Sequence, residues 1–278
     1  MSNLEEIRHS MYTRAERWWW CALASVVIGV FSGLASIYSW LRSGSVISYV
    51  VVAIAALAPF LAAAARRFSG TLAARADLCR RAFLYRSSLG IELEPDQLRL
   101  VALWPSNIPL NKITASSPYF SSTTPVGPDR LAEAVGESAF YTAELARIMG
   151  NVGIGLVLLV AVLIFAALSA LSSIPFDATT LSKISAIIAI VATGTLALLF
   201  GEILVTALGY KSLEEDSLEV FRSATHFAGL ADKTAVTAIR IAETYSIALA
   251  ANLPIPNFLY RWNRDRIDRA YKAVATAR

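Results

Sequence analysis

Four runs of apolar residues interrupt a chain of otherwise mixed polarity. They cover residues 18–41, 45–65, 152–174 and 184–208. Each run has the roughly 20 residues that an α-helix needs to cross the hydrocarbon core of a bilayer. A short connection joins the first run to the second, and another joins the third to the fourth. The pattern therefore predicts an all-α membrane protein with four transmembrane helices in two hairpins.

The segment after the second run keeps helical periodicity. Residues 66–89 place apolar side chains at helical spacing with charges between them, so the second membrane helix is predicted to continue into the cytoplasm and to end at Gly90. Residues 90–128 are rich in proline, serine and threonine. They are predicted to form a loop-rich insertion with one short helix or strand around residues 97–104.

The polar segments before and after the second hairpin are also predicted to be helical. Pro128 and Asp129 are predicted to open a helix that leads into the third span, and the fourth span is predicted to continue beyond residue 208. A further helix is predicted over residues 232–252. Pro254 and Pro256 then separate it from a final basic helix.

These elements define five predicted segments. They are a cytoplasmic N-terminal amphipathic helix (1–17), transmembrane hairpin 1 (18–65), a cytoplasmic helical region with the insertion (66–151), transmembrane hairpin 2 (152–208) and cytoplasmic C-terminal helices (209–278).

Composition and charge agree with this interpretation. The 278 residues are 56% hydrophobic and 17% charged, with a mean hydropathy of +0.53, whereas a soluble domain has about 25% charged residues. Lysine and arginine number three in 1–17, ten in 66–151 and ten from residue 209 onward, against one in each short connection. The positive-inside rule therefore predicts that both termini and the large middle segment are in the cytoplasm.

The sequence contains no pattern typical of an enzyme. The two histidines, His9 and His226, have no second ligand at metal-binding spacing, and no glycine-rich phosphate loop or nucleophile elbow is visible. Cys21 and Cys79 are too far apart for a local redox motif. We therefore expect no enzymatic activity, no metal site and no cofactor.

Glu202 is a carboxylate within the fourth apolar run. A charge at membrane depth is costly unless it faces the bundle interior, a partner or water. Thr195 and Thr206, seven residues before it and four after it, share its helical face. Three interpretations stay open: a pore-lining or gating carboxylate, a structurally paired residue, and a residue near the cytoplasmic interface.

Small residues recur at a spacing of four in the first run. Ser25, Gly29 and Gly33 would let another helix approach closely. The predicted contact is either between the two hairpins of one subunit or between subunits.

The helix after the second span is strongly basic. Between residues 66 and 86 it carries six arginines and one acid, Asp77. Arg66 and Arg67 are explained as membrane-surface anchors, whereas the later arginines, with nearby aromatic rings, have the chemistry that phosphates and bases need. The alternative is a solvated helix face that pairs with the acidic helix at 133–144. The candidate nucleotide-binding residues are Arg75, Arg80, Arg81, Tyr85, Arg86 and Lys112.

Two stretches resemble a known family. IRHSMYTRAERWWW, at residues 7–20, and LPIPNFLYRWNRDRIDRA, at residues 253–270, are similar to the beginning and the end of the SMODS-associated four-transmembrane pore-forming effectors of bacterial defence islands. The layout of two hairpins separated by a cytoplasmic insertion is also similar. The insertion is the part that matches least.

The resemblance implies an anti-phage effector encoded beside a nucleotidyltransferase whose product controls it. In CBASS-like systems a cyclic oligonucleotide opens the membrane protein, and in Hailong-like systems a short single-stranded DNA keeps it closed. We therefore expect a homo-oligomeric ion channel gated by a nucleotide or oligonucleotide, whose opening depolarises the membrane and arrests growth. The alternatives are a non-conducting membrane scaffold that recruits a cytoplasmic partner and a small-solute transporter.

Overall fold

A computed structural model describes residues 2–42, 46–91, 122–172, 180–252 and 254–276. Within these ranges the chain forms six α-helices and no strand, which confirms the predicted all-α class. The segment predicted as a helix or strand at 97–104 lies outside the described residues. The helices are α1 (Ser2–Arg42), α2 (Val46–Leu89), α3 (Pro128–Ser172), α4 (Thr180–Ala228), α5 (Ala235–Ala251) and α6 (Asn257–Thr276).

The first four helices are long enough to do more than cross a membrane. Even the shortest of them, α1, has 41 residues, and at 1.5 Å per residue its length is about 60 Å. The hydrocarbon core is only about 30 Å thick. Each long helix therefore has room for an apolar span and for a polar extension, as the sequence pattern predicts.

The C-terminal end of α2 lies next to the N-terminal end of α3. Gly90, with a φ of 70°, takes the left-handed conformation that ends many helices, and its N–H donates to the carbonyl of Arg86 at 3.2 Å. The N–H of Gly127 donates to the carbonyl of Ser88 at 2.7 Å. The chain therefore enters α3 at Pro128 beside the point where it leaves α2, and the predicted helix boundaries at Gly90 and Pro128 are confirmed.

Internal packing divides the chain into two units. We call Trp18–Phe68 with Gly150–Leu208 the span unit, and Met1–Arg17 with Ser69–Met149 and Gly209–Arg278 the charged unit. The core of the span unit consists of buried aliphatic residues from three helices: Val26, Val30, Ala62 and Leu199.

The charged unit has a larger core, formed where α2, α3, α4 and α5 meet. Its largest fully buried members include Leu84, Leu131, Val220 and Phe227. A second cluster joins α3 to α6, because Leu259 and Ile267 of α6 pack with Phe140 and Leu145 of α3. Burial of these apolar faces provides the main stabilising free energy of the unit.

Among the residues that the structure describes, three helices contain a stretch long and apolar enough to cross a membrane, and they cover Arg8–Ala35, Val50–Leu89 and Pro128–Ala166. They expose large apolar side chains, such as Phe31, Phe60 and Phe165, each about 70% exposed. Apolar faces of this kind mark surfaces that contact lipid or another protein, and together with the length of the helices they indicate membrane association. The backbone of the predicted fourth span is helical, but the side chains of 180–193 and 195–197 lie outside the described residues. The count of four spans and their pairing into hairpins therefore stay predictions.

Candidate functional site

A polar cluster lies inside the span unit. Nη1 of Arg66 on α2 contacts the carboxylate of Glu202 on α4 in a short ion pair. The same nitrogen lies 3.3 Å from the Glu202 carbonyl oxygen and 3.2 Å from Oγ1 of Thr206. Thr206 donates its hydroxyl proton to the Glu202 carbonyl at 2.8 Å. The Arg66 guanidinium therefore contacts the carboxylate and the carbonyl oxygen of Glu202 and the hydroxyl oxygen of Thr206.

The Arg66–Glu202 ion pair is partly buried. The side chain of Arg66 is 16% exposed and that of Glu202 is 34% exposed. Two opposite charges in apolar surroundings attract strongly, because the local dielectric constant is far below that of water. Structural pairing, one of the three interpretations of Glu202, is thus an observed contact, while pore lining and an interfacial position stay predictions. The side chain of Thr195 lies outside the described residues.

Arg66 was predicted only as a membrane-surface anchor. Its position directly after the second apolar run gave no indication of a partner 136 residues away. Two features of the sequence could have indicated this pair. A carboxylate within an apolar run needs a cationic partner or water, and Arg66 directly follows another apolar run.

Close helix contacts within the span unit occur at glycines. A methyl group at Gly29 would lie 2.7 Å from Cβ of Ala58 on α2 and 2.8 Å from Cδ1 of Leu199 on α4. Gly33 is buried, and Ser25 donates its hydroxyl proton to the carbonyl of Cys21 at 2.8 Å. The small residue at position 29 therefore serves a contact between helices of one chain.

A buried ion pair lies in the charged unit, on the basic part of α2. Nε of Arg80 donates to Oδ1 of Asp77 at 2.8 Å, and both side chains are under 5% exposed. The Arg80 guanidinium also lies 4.5 Å from the ring centroid of Tyr245 and 3.4 Å, by Nη2, from Oγ of Ser246 on α5. Cation–π contact and charge pairing together compensate for the loss of water around the guanidinium.

A second, half-buried group extends this network. Nη1 of Arg81 donates to Oε2 of Glu243 at 2.8 Å, and the hydroxyl of Tyr85 donates to Oε1 of the same carboxylate at 2.5 Å. Nε of Arg81 also lies 3.6 Å from Oδ2 of Asp77. Burial, reinforced by the hydrogen bond to Glu243, raises the pKa of Tyr85 well above its ordinary value. The Tyr85 hydroxyl therefore keeps its proton and acts as a hydrogen-bond donor to Glu243.

These contacts affect the predicted nucleotide site. Arg80, Arg81 and Tyr85 already have internal partners, so a phosphate that binds them competes with Asp77 or Glu243. The remaining candidates have different environments: Arg75 is partly exposed, Arg86 is exposed, and Lys112 lies outside the described residues.

An acidic residue outside the segment 133–144 also serves as a partner of the basic helix. Arg81 pairs with Glu243 of α5. Glu243 carries its own signal, because it is the one acidic residue in the sequence of α5, AVTAIRIAETYSIALAA. An isolated carboxylate among apolar residues indicates a specific partner, in the same way as Glu202.

Two other polar features belong to the charged unit. The hydroxyl of Tyr141 donates to Oδ1 of Asp268 at 2.6 Å and so attaches α6 to α3. A groove of about 410 Å³ is lined by apolar side chains, including Phe227 and Ile241, and by polar ones, including Arg222 and His226. Among the described residues no group of histidine, cysteine and acidic side chains could hold a metal ion.

Comparison with known proteins finds no matching family model, no matching curated protein and no matching solved structure. The function is therefore inferred from the sequence pattern and from the contacts described above.

Proposed function

We propose that the protein is an ion-conducting effector of the bacterial inner membrane, with both termini in the cytoplasm, and that the charged unit controls its opening. Three long apolar helices support membrane insertion, and the asymmetry of lysine and arginine supports the orientation. The resemblance to pore-forming defence effectors supports the conducting role. The proposed consequence of opening is depolarisation of the membrane and growth arrest during phage infection.

The observation that carries the proposal is the polar cluster of Arg66, Glu202 and Thr206 in the span unit. In an apolar environment the two charges are stable together and unstable apart, unless water enters between them. Separation of the pair is therefore linked to hydration of the space around it. We propose that the pair closes the conducting path and that, once separated, the Glu202 carboxylate faces the path and favours cations.

The energy of this closure can be bounded. Exposed ion pairs contribute about 0–1 kcal/mol, and removal of one partner from a fully buried pair costs about 3–5 kcal/mol. The side chains of Arg66 and Glu202 are 16% and 34% exposed, which lies between these two cases. We therefore assign about 1–2 kcal/mol to the stabilisation of the closed state by the pair. Loss of the pair should therefore increase the ratio of open to closed channels about 5- to 30-fold.

The test is ion flux through the full-length protein reconstituted in liposomes. Glu202→Gln should increase the flux and reduce the preference for K⁺ over Cl⁻, because it removes both the closing ion pair and the charge that faces the path. Thr206→Val is the matched control, since it removes a weaker partner of Arg66 and leaves the carboxylate. If the wild type and Glu202→Gln give equal flux and equal selectivity, the proposed role of Glu202 is refuted. No flux under any condition would favour the scaffold.

Control by a nucleotide is the second part of the proposal. A ligand shifts the balance between closed and open states only by its differential affinity for them. An oligonucleotide phosphate that binds Arg86 and competes with Glu243 for Arg81 would change the packing of α2 against α5 and so act on the span that α2 continues. Support comes from the density of arginines on α2 and from the resemblance, which implies a neighbouring nucleotidyltransferase as the source of the ligand.

Native mass spectrometry of the protein, co-expressed with that nucleotidyltransferase and purified in detergent, tests this part. We expect a homo-oligomer with the mass of a retained nucleotide or short single-stranded oligonucleotide. Arg86→Gln should release the ligand without changing the number of subunits. A monomer with nothing bound would contradict both the assembly and the sensor.

A further inference from the structure

Helix α6 exposes a tryptophan beside basic side chains. Leu259 and Ile267 are buried against α3 and fix the rotation of the helix, and in this orientation Trp262 is 83% exposed. Arg266 and Arg269 follow Trp262 at spacings of four and seven, so the three residues share one face. Trp262 therefore presents most of its ring at the surface, on the same face as two arginines.

The charge of α6 is strongly positive. It carries five basic and two acidic residues, which gives a net charge of +3. One of the two acids, Asp268, accepts a hydrogen bond from Tyr141 of α3 and is therefore directed toward that helix. All five basic residues are exposed: Arg261, Arg264, Arg266, Arg269 and Lys272.

The start of α6 is attached to the part of α1 that leads into the membrane. The backbone N–H and the side-chain Nδ2 of Asn257 donate to the two carboxylate oxygens of Glu16, each at 3.1 Å. Glu16 precedes Trp18, the first residue of the first predicted span, by two positions. The N-terminal turn of α6 therefore lies beside the chain segment at which α1 is predicted to reach the headgroup layer.

We propose that α6 lies on the bilayer surface and binds anionic phospholipid headgroups. Trp262 has the amphipathic ring that partitions into the interfacial layer, and the arginines around it match the negative charge of lipid phosphates. This inference is independent of ion conduction, because a scaffold or a transporter with the same α6 would bind the membrane in the same way.

The test is hydrogen–deuterium exchange of the full-length protein in two kinds of lipid nanodisc, one of phosphatidylcholine alone and one containing phosphatidylglycerol. Amides of residues 257–276 should exchange more slowly in the anionic nanodisc. Each arginine near an anionic surface contributes about a fivefold factor in binding. Arg261→Gln combined with Arg269→Gln should therefore remove most of the difference between the two lipids.

Two control variants separate lipid binding from other causes. Arg222→Gln combined with Arg240→Gln removes the same charge from exposed positions on α4 and α5 and should leave the difference at α6 intact. Trp262→Ser should reduce the protection in both lipids while leaving the melting temperature unchanged, because the side chain is exposed. Equal exchange of α6 in the two nanodiscs overturns the proposal, as does an equal loss in both double variants. Protection of α6 that appears only on addition of single-stranded DNA also overturns it and assigns the surface to nucleic acid.

Discussion

A methyl group added at Gly153 would collide with the backbone of a neighbouring helix. Its carbon would lie 2.7 Å from Cβ and 3.1 Å from Cα of Ala207, within the span unit. Ordinary carbon–carbon contacts are about 3.5–4.0 Å, so α3 and α4 would have to separate by about 1 Å. At Gly155, two residues further along α3, no atom of the described residues outside the local helix backbone lies within 4 Å of the corresponding position.

The two glycines therefore form a matched pair for the same substitution. Alanine at either position gains up to about 1 kcal/mol of helix propensity, and this gain cancels in the comparison. Overpacking of a close contact costs about 1–3 kcal/mol. We expect Gly153→Ala to be less stable than Gly155→Ala by about 2 kcal/mol, a value that lies within this overpacking range.

The assay is equilibrium unfolding of the full-length protein in mixed micelles, with increasing SDS and with helix content followed by circular dichroism. The difference between the midpoints of the two variants, multiplied by the common slope, gives the difference in free energy of unfolding. If the two variants are equally stable to within about 0.5 kcal/mol, the close approach of α3 to α4 at Gly153 is refuted.

Three further predictions concern the charged unit. Asp77→Asn should lower the free energy of unfolding by about 3 kcal/mol, because it leaves the Arg80 guanidinium buried without its carboxylate; equal melting temperatures for variant and wild type would contradict this. Cys79 is fully buried and its pKa is raised from 9.0 to about 11 by burial, so near neutral pH its thiolate fraction is about 100-fold below that of an ordinary thiol. In a Cys21→Ser background, a water-soluble maleimide should label Cys79 only after unfolding by SDS, and rapid labelling of the native protein would refute this burial. Tyr141→Phe, which removes the hydrogen bond to Asp268, should destabilise the protein by about 1 kcal/mol and increase proteolysis near α6, whereas unchanged proteolysis would show that the bond does not fix α6.

The candidate site illustrates what a single sequence can and cannot predict. Glu202 was identifiable because a carboxylate in an apolar run is chemically conspicuous. Its partner Arg66 was assigned to the membrane surface, because the sequence carries no information on the distance between residues 136 positions apart. Glu243 was missed for the same reason, although its isolation in an apolar helix marks it as another paired carboxylate.

For Gly29 the sequence predicted one part of the observed contact and not the other. Its spacing from Ser25 and Gly33 predicted a close helix contact but left open which helix it meets. The structure places it against Ala58 and Leu199 of the same chain. A small-residue pattern reports the capacity of a helix for close approach and does not identify the neighbour.

The sequence by itself determined that the chain is helical and membrane-associated, and that α2 ends at Gly90 while α3 begins at Pro128. These properties are local, because hydrophobic periodicity, proline and glycine act within a few residues of their own position. Only the tertiary structure decided that Arg66 pairs with Glu202 and that Arg81 pairs with Glu243. Such pairs depend on which helix faces pack together, and that choice is a property of the whole assembled bundle rather than of any one segment.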